Sequence, residues 1–118
     1  MGKSKILIAE DLESNYLLLK IILSTKYEVI WAKNGKEAVD LFNECEPDLI
    51  LMDIRMPVMD GYEATKIIRT ISTSIPIIAQ TAHAFESDRQ KALEVGFTNV
   101  ITKPIKIDFL HEMVEKYL

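Results

Sequence analysis

A chain of 118 residues, 48% hydrophobic and 27% charged, has room for one globular domain with a core of its own and no more. A net charge of −4 with no basic stripe argues against nucleic acid as a direct partner. One cysteine, Cys45, excludes an internal disulfide and reads as a buried thiol on a helix face; no apolar run nears the roughly 20 residues of a membrane span and no signal-peptide pattern opens the chain, so the expected compartment is the cytoplasm, without membrane contact.

Short apolar runs alternate with amphipathic stretches. The first run, 6–9, ends in the acidic pair Glu10-Asp11. The segment 13–24 that follows is more uniformly apolar than the other helical stretches (Leu17, Leu18, Leu19, Ile21, Ile22, Leu23), which predicts a well-covered helix. The run 29–32 is flanked by Glu28 and Lys33, which suits an edge strand. Ala38, Leu41, Phe42 and Cys45 then recur at the i, i+3, i+4, i+7 spacing of an amphipathic helix. The run 49–52 ends at Asp53, ahead of the turn-forming Met56-Pro57-Val58-Met59-Asp60-Gly61. A second helix of the same template carries Ala64, Ile67, Ile68 and Ile71. The run 77–79 leads into Gln80-Thr81-Ala82. The stretch 86–95 is the most polar helix, with Ala92 and Val95 as its inward residues and Gly96 as its stop. The last run, 100–101, precedes Thr102-Lys103-Pro104, and Leu110, Met113, Val114 and Tyr117 mark a final helix.

Nearly continuous aliphatic strands are those buried on both faces, and their alternation with helices predicts an α/β fold with a doubly wound parallel sheet. Right-handed crossovers and five strands suit the order 2-1-3-4-5. In such a sheet ligands bind beyond the carboxyl ends of the strands, where the winding reverses between strands 1 and 3. Those two strands end in Glu10-Asp11 and Asp53, so fold and chemistry point to one place.

Three carboxylates at one sheet edge repel unless a hard divalent cation neutralises them; Mg²⁺, with Mn²⁺ as the alternative, takes oxygen ligands from one or two carboxylates plus phosphate. Thr81, ending strand 4, could donate its hydroxyl to a phosphoryl oxygen, although alone it reads more readily as a strand-end cap. Lys103, after strand 5, could pair with Asp53 and then with a phosphoryl oxygen, although alone it reads as a solvated lysine. Glu10-Asp11 alone could serve the dipole of the following helix. Pro104 makes the Lys103–Pro104 bond a candidate cis peptide that would aim Lys103 inward. Together these groups suggest that Asp53 attacks phosphorus in line and becomes an aspartyl phosphate, with the cation, Thr81 and Lys103 stabilising the equatorial oxygens.

Four motifs in this order resemble the receiver domain of two-component signalling: Ile8-Ala9-Glu10-Asp11, Met52-Asp53-Ile54-Arg55-Met56-Pro57-Val58-Met59-Asp60-Gly61, Gln80-Thr81-Ala82 and Thr102-Lys103-Pro104. The resemblance covers 1–118 and implies one receiver domain with a flavodoxin-like fold. It implies that Asp53 is the phosphoacceptor, that Asp11 and Asp53 ligate the metal directly, that Glu10 acts through water, and that the Arg55 carbonyl completes the set. It also implies that Thr81 and Lys103, with the backbone N–H groups of Arg55 and Ala82, hold the phosphoryl oxygens, and that Thr81 moves toward the phosphate during switching. Receivers often carry Tyr or Phe three residues before the lysine; here Val100 stands there, and a β-branched aliphatic cannot rotate as an aromatic gate. Arg55 and His83 would flank the attacking water and tune the phosphoryl lifetime.

Glu13-Ser14-Asn15, Gly61-Tyr62-Glu63-Ala64-Thr65 and Ala79-Gln80-Thr81-Ala82-His83-Ala84 look most similar to receivers of hybrid sensor histidine kinases. The implied partners are a histidine kinase or a histidine phosphotransfer domain, docking on the first helix and the site loops. Phosphorylation-dependent pairing through the fourth helix is a further implied possibility, for which this chain shows no clear apolar stripe. A stand-alone regulator acting by reversible binding is the alternative. A Mg²⁺-dependent aspartyl-phosphate phosphatase is more remote, because it needs a second acid where Arg55 stands; a flavin carrier is disfavoured because Glu10-Asp11 would repel a phosphate.

Overall fold

The computed structural model describes residues 2–82 and 86–118. Five strands alternate with five helices among them: β1 (Lys5–Ala9), α1 (Glu13–Leu23), β2 (Glu28–Ala32), α2 (Gly35–Cys45), β3 (Leu49–Asp53), α3 (Gly61–Ile71), β4 (Ile77–Thr81), α4 (Glu86–Val95), β5 (Asn99–Thr102) and α5 (Ile107–Tyr117). The strands form one parallel sheet in the order β2-β1-β3-β4-β5, with β2 at an edge as its flanking charges predict. No helix among the described residues is long and apolar enough to cross a membrane.

Successive strand side chains point to opposite faces, so the central strands feed two cores. Leu7, Ile50, Met52, Ile77 and Ala79 pack with Ala38 and Phe42 of α2, Ala64 and Ile68 of α3, and Ala92 of α4. Ile6, Ile8, Leu49, Leu51 and Ile78 pack with Leu19 and Leu23 of α1 and with Leu110 and Val114 of α5. Local chemistry starts two of these helices. Asn34 accepts from the Glu37 N–H at 2.9 Å while Glu37 reaches back to the Lys33 N–H at 3.0 Å, and Asp60 accepts from the Glu63 N–H at 2.9 Å. Gly96, at φ 127°, stops α4 as expected.

Four sequence-based expectations are corrected. Helix α1 is not well covered: Tyr16, Leu19 and Leu23 face the sheet, while Leu17, Leu18 and Ile21 are exposed. Its leucines and isoleucines lie on several sides and give no single phase, and only one side of the helix meets β1 and β2. On α3 the buried stripe runs through Ala64, Thr65 and Ile68, leaving Ile67 and Ile71 exposed, because the Asp60 cap and Gly61 set the rotation of the helix. Val95 and Cys45 are half-buried rather than buried, each being the last residue of its helix.

Helix α4 buries Ala92 alone and is held largely by polar contacts. The Arg69 guanidinium donates to the Gly96 carbonyl at 2.8 Å and the Thr98 hydroxyl at 3.2 Å, fixing the carboxyl end of the helix, and Lys91 lies 4.6 Å from the Tyr62 ring centre. The β3–α3 loop is tight. Val58 adopts φ 69° inside a three-residue turn closed by the Met59 N–H on the Pro57 carbonyl at 2.7 Å. A Cβ on Gly61 would fall 2.3 Å from the Asp53 carbonyl oxygen, and one on Gly35 would fall 2.3 Å from the Met59 carbonyl oxygen. Gly61→Ala is therefore expected to cost about 1–3 kcal/mol, read as a lower Tm, because the obstacle is strand backbone that cannot step aside.

Candidate functional site

Parallel strands place all their carboxyl ends on one side of the sheet. Glu10 and Asp11 directly follow β1, Asp53 is the last residue of β3, Thr81 the last of β4, and Lys103 follows β5. Carboxylate oxygens of Glu10, Asp11 and Asp53 all lie within 4.8 Å of one another, as the topology predicts. Glu10 and Asp53 are buried and Asp11 is exposed, so the cluster opens to solvent on the Asp11 side. Two ionised carboxylates at that spacing repel by about 3.5 kcal/mol at an effective dielectric of about 20.

The Lys103 ammonium answers part of this charge, 3.2 Å from Asp53 Oδ2 and 3.5 Å from Glu10 Oε1. The Lys103–Pro104 peptide is cis, and the Lys103 N–H donates to the Thr81 carbonyl at 2.7 Å, so the lysine leaves the sheet beside the threonine. Thr81 is buried; Ala82 next to it, Arg55 in the β3–α3 loop, and Pro104 are exposed. His83 lies outside the described residues.

Two residues to which no role was assigned from sequence also hold the cluster. Asn15 donates its amide to Glu10 Oε1 at 2.6 Å, and the Trp31 indole N–H donates to the Glu10 carbonyl at 2.8 Å. Asn15 stands five residues after Glu10, a spacing that brings the first turn of α1 back over the strand end. Trp31 gives no sequence signal, since only the β1–β2 pairing brings it there.

The Glu10 carboxyl is raised from its ordinary 4.5 to about 7, chiefly by burial, then by a hydrogen bond shared with Asp53 and by the Asp53 charge; Asn15 and Lys103 pull the other way. Its Oε2 is buried and accepts no hydrogen bond from the described residues. An all-oxygen set with an unsatisfied buried carboxylate oxygen fits a hard divalent cation such as Mg²⁺, and Glu10, Asp11 and Asp53 are the residues that would hold it.

The family model for the response regulator receiver domain matches residues 6–115. The chain belongs to that family. A receiver is a signalling module. This chain is 42% identical over 97% of its length to hybrid signal transduction histidine kinase I of Dictyostelium discoideum, of which it spans only 7%. It is 40% identical over its full length to the polar-differentiation response regulator DivK of Brucella anthropi, spanning 98% of that protein. The receiver domain of the sensor histidine kinase PA1611 from Pseudomonas aeruginosa, with a magnesium ion coordinated in its active-site cleft, superposes at TM-score 0.90 with 34% identity, covering 98% of each chain. The receiver domain of Ssk1 from Saccharomyces cerevisiae, solved with the histidine phosphotransfer protein Ypd1, superposes at TM-score 0.92 with 32% identity, covering 98% of this chain and 89% of that one.

A pH dependence follows from Glu10. In metal-free protein the folded state binds this proton more tightly than the unfolded state, so the contribution to stability is full below pH 4.5 and is lost as pH rises through about 7. Urea melts in EDTA should show stability falling across that window, and Glu10→Gln should flatten the slope.

Proposed function

We propose that the chain, as a single receiver domain, accepts a phosphoryl group on Asp53 from a phosphohistidine in a Mg²⁺-dependent step. The observation that supports this most is the acid cluster itself: three carboxylates at the ends of β1 and β3 whose oxygens lie within 4.8 Å, two of them, Glu10 and Asp53, bridged by Lys103. In this reading an Asp53 oxygen forms the new bond to phosphorus as the bond from phosphorus to the imidazole nitrogen breaks, and the imidazole leaves carrying that electron pair. A bound Mg²⁺ would supply charge neutralisation on the phosphoryl oxygens. Lys103 exchanges its contact with Asp53 for one with a phosphoryl oxygen, Thr81 donates its hydroxyl to another, and the backbone N–H groups of Arg55 and Ala82 complete the cradle. Arg55 and His83 are assigned to tuning the lifetime of the acyl phosphate against hydrolysis. The same residues catalyse gain and loss of the group.

The favoured context is a hybrid sensor histidine kinase in a cytoplasmic phosphorelay, a reading supported by likeness to the Dictyostelium kinase and the PA1611 receiver. A stand-alone regulator is the second reading, favoured by end-to-end similarity to DivK. In either case the partner is a histidine kinase or a histidine phosphotransfer domain. The exposed side of α1 supports such a partner. Leu17, Leu18 and Ile21, the last 71% exposed, form an apolar strip. It adjoins a groove of about 380 Å³ lined by Asn15, Leu18, Gln80, Lys103, Pro104 and Ile105. The strip therefore runs up to the Lys103 side of the acid cluster.

Two outcomes check these assignments. Acetyl phosphate with Mg²⁺ should phosphorylate the chain, read as a mass gain of one phosphoryl group, and Asp53→Asn or EDTA should abolish it. Ile21→Asp should lower the rate of transfer from a phosphorylated histidine phosphotransfer protein at least about tenfold, the loss of a modest apolar hot spot, while leaving the acetyl phosphate reaction unchanged.

A further inference from the structure

We propose that Trp31 is a positioning residue for the divalent-cation site, acting through its indole N–H on the Glu10 carbonyl. The inference rests on the metal reading of the acid cluster and deepens it.

Strand β2 supplies no carboxylate, hydroxyl or amine to the cluster. Its pairing with β1 ends at Ala9↔Ala32, followed by the Glu10 N–H on the Ala32 carbonyl at 2.9 Å. The ladder thus stops at the amide side of Glu10. The indole N–H takes over on the carbonyl side at 2.8 Å. That carbonyl belongs to the peptide joining Glu10 to Asp11, so this bond fixes the plane from which the Asp11 side chain departs.

The indole is itself held in place. It stacks on the buried Tyr16 ring of α1, with centroids 4.5 Å apart and planes 5° from parallel, and the Lys33 ammonium lies 5.1 Å from its centre. Helix α1 has no side-chain cap at Leu12, so its first turn is secured instead by this stack and by the Asn15 amide on Glu10. Two consecutive residues of α1 therefore grip Glu10, Asn15 at the carboxylate and Tyr16 through Trp31 at the main chain. Both acids that precede α1 are oriented by one aromatic on the neighbouring strand. A merely structural Trp31 would matter for stability alone; a positioning Trp31 sets how well the folded protein binds the ion.

Trp31 is the one tryptophan of the chain, so biosynthetic replacement of tryptophan alters this residue alone. Benzothienylalanine keeps the bicyclic shape and the stack but puts sulfur where the N–H was. Calorimetric titration with Mg²⁺ should give a dissociation constant raised about three- to tenfold, the worth of one neutral hydrogen bond, with little change of Tm in EDTA. Thienopyrrolylalanine, which retains the N–H, should restore the affinity of the tryptophan protein. Trp31→Phe, also lacking the donor, should weaken Mg²⁺ in the same direction and serves if the analogue protein fails to fold. Equal Mg²⁺ affinity with and without the N–H overturns the inference alone. A tryptophan protein that binds no Mg²⁺ overturns the metal reading and this inference with it.

Discussion

Crowded negative charge at one edge of the sheet is the constraint to which the other features of the site answer. Parallel β1 and β3 deliver Glu10, Asp11 and Asp53 to adjacent positions. The protein relieves the repulsion in three ways. Lys103 brings a positive charge between Glu10 and Asp53. Burial holds a proton on Glu10 up to about pH 7, which removes one negative charge from the metal-free cluster under mildly acidic conditions. Asp11 is left exposed, where water screens it. Each device is reversible, which is what a site must be if it is to exchange a proton or an ammonium contact for a cation or a phosphoryl group.

The two faces of the sheet divide the work differently. On one, α2 and α3 start from side-chain caps at Asn34 and Asp60 and press small residues close to the strands; Gly35 and Gly61 leave no room for a methyl group against the loop and strand that carry Asp53 and Met59. The close contacts at these two helix starts are backbone on backbone. Helix α4, on the same face, rests on Ala92 and is tied mainly at its carboxyl end by Arg69. Among the described residues, few buried apolar contacts mark α4 as an element of low local stability. On the other face, α1 turns apolar side chains outward beside the site. The molecule thus gathers a fixed acid cluster, a weakly held helix and an uncovered apolar strip around one edge.

Much of this was legible in the chain, and the exceptions share a cause. The strands read correctly because each is an apolar run with a chemically distinct residue at its end, and right-handed crossovers leave few ways to order five parallel strands. The β2 edge followed from Glu28 and Lys33. Helical phase was the weaker reading. Ile67 and Ile71 fit the apolar template of α3 as well as Ala64 and Ile68 do, and only the direction in which Asp60 and Gly61 launch the helix decides which pair faces inward. In α1 the leucines and isoleucines surround the helix, so no pattern distinguishes the side that packs from the side that stays bare.

Sequence by itself determined the parallel doubly wound sheet, the strand order and the identity of the acids, threonine and lysine at the strand ends, because one-dimensional periodicity and position within a run suffice for those. Tertiary structure alone decided how close the three carboxylates come, within 4.8 Å, that Glu10 holds its proton toward neutrality, and that Trp31 meets Glu10 from the neighbouring strand. Distance, burial and cross-strand hydrogen bonds join residues far apart in the chain, and no local pattern encodes them.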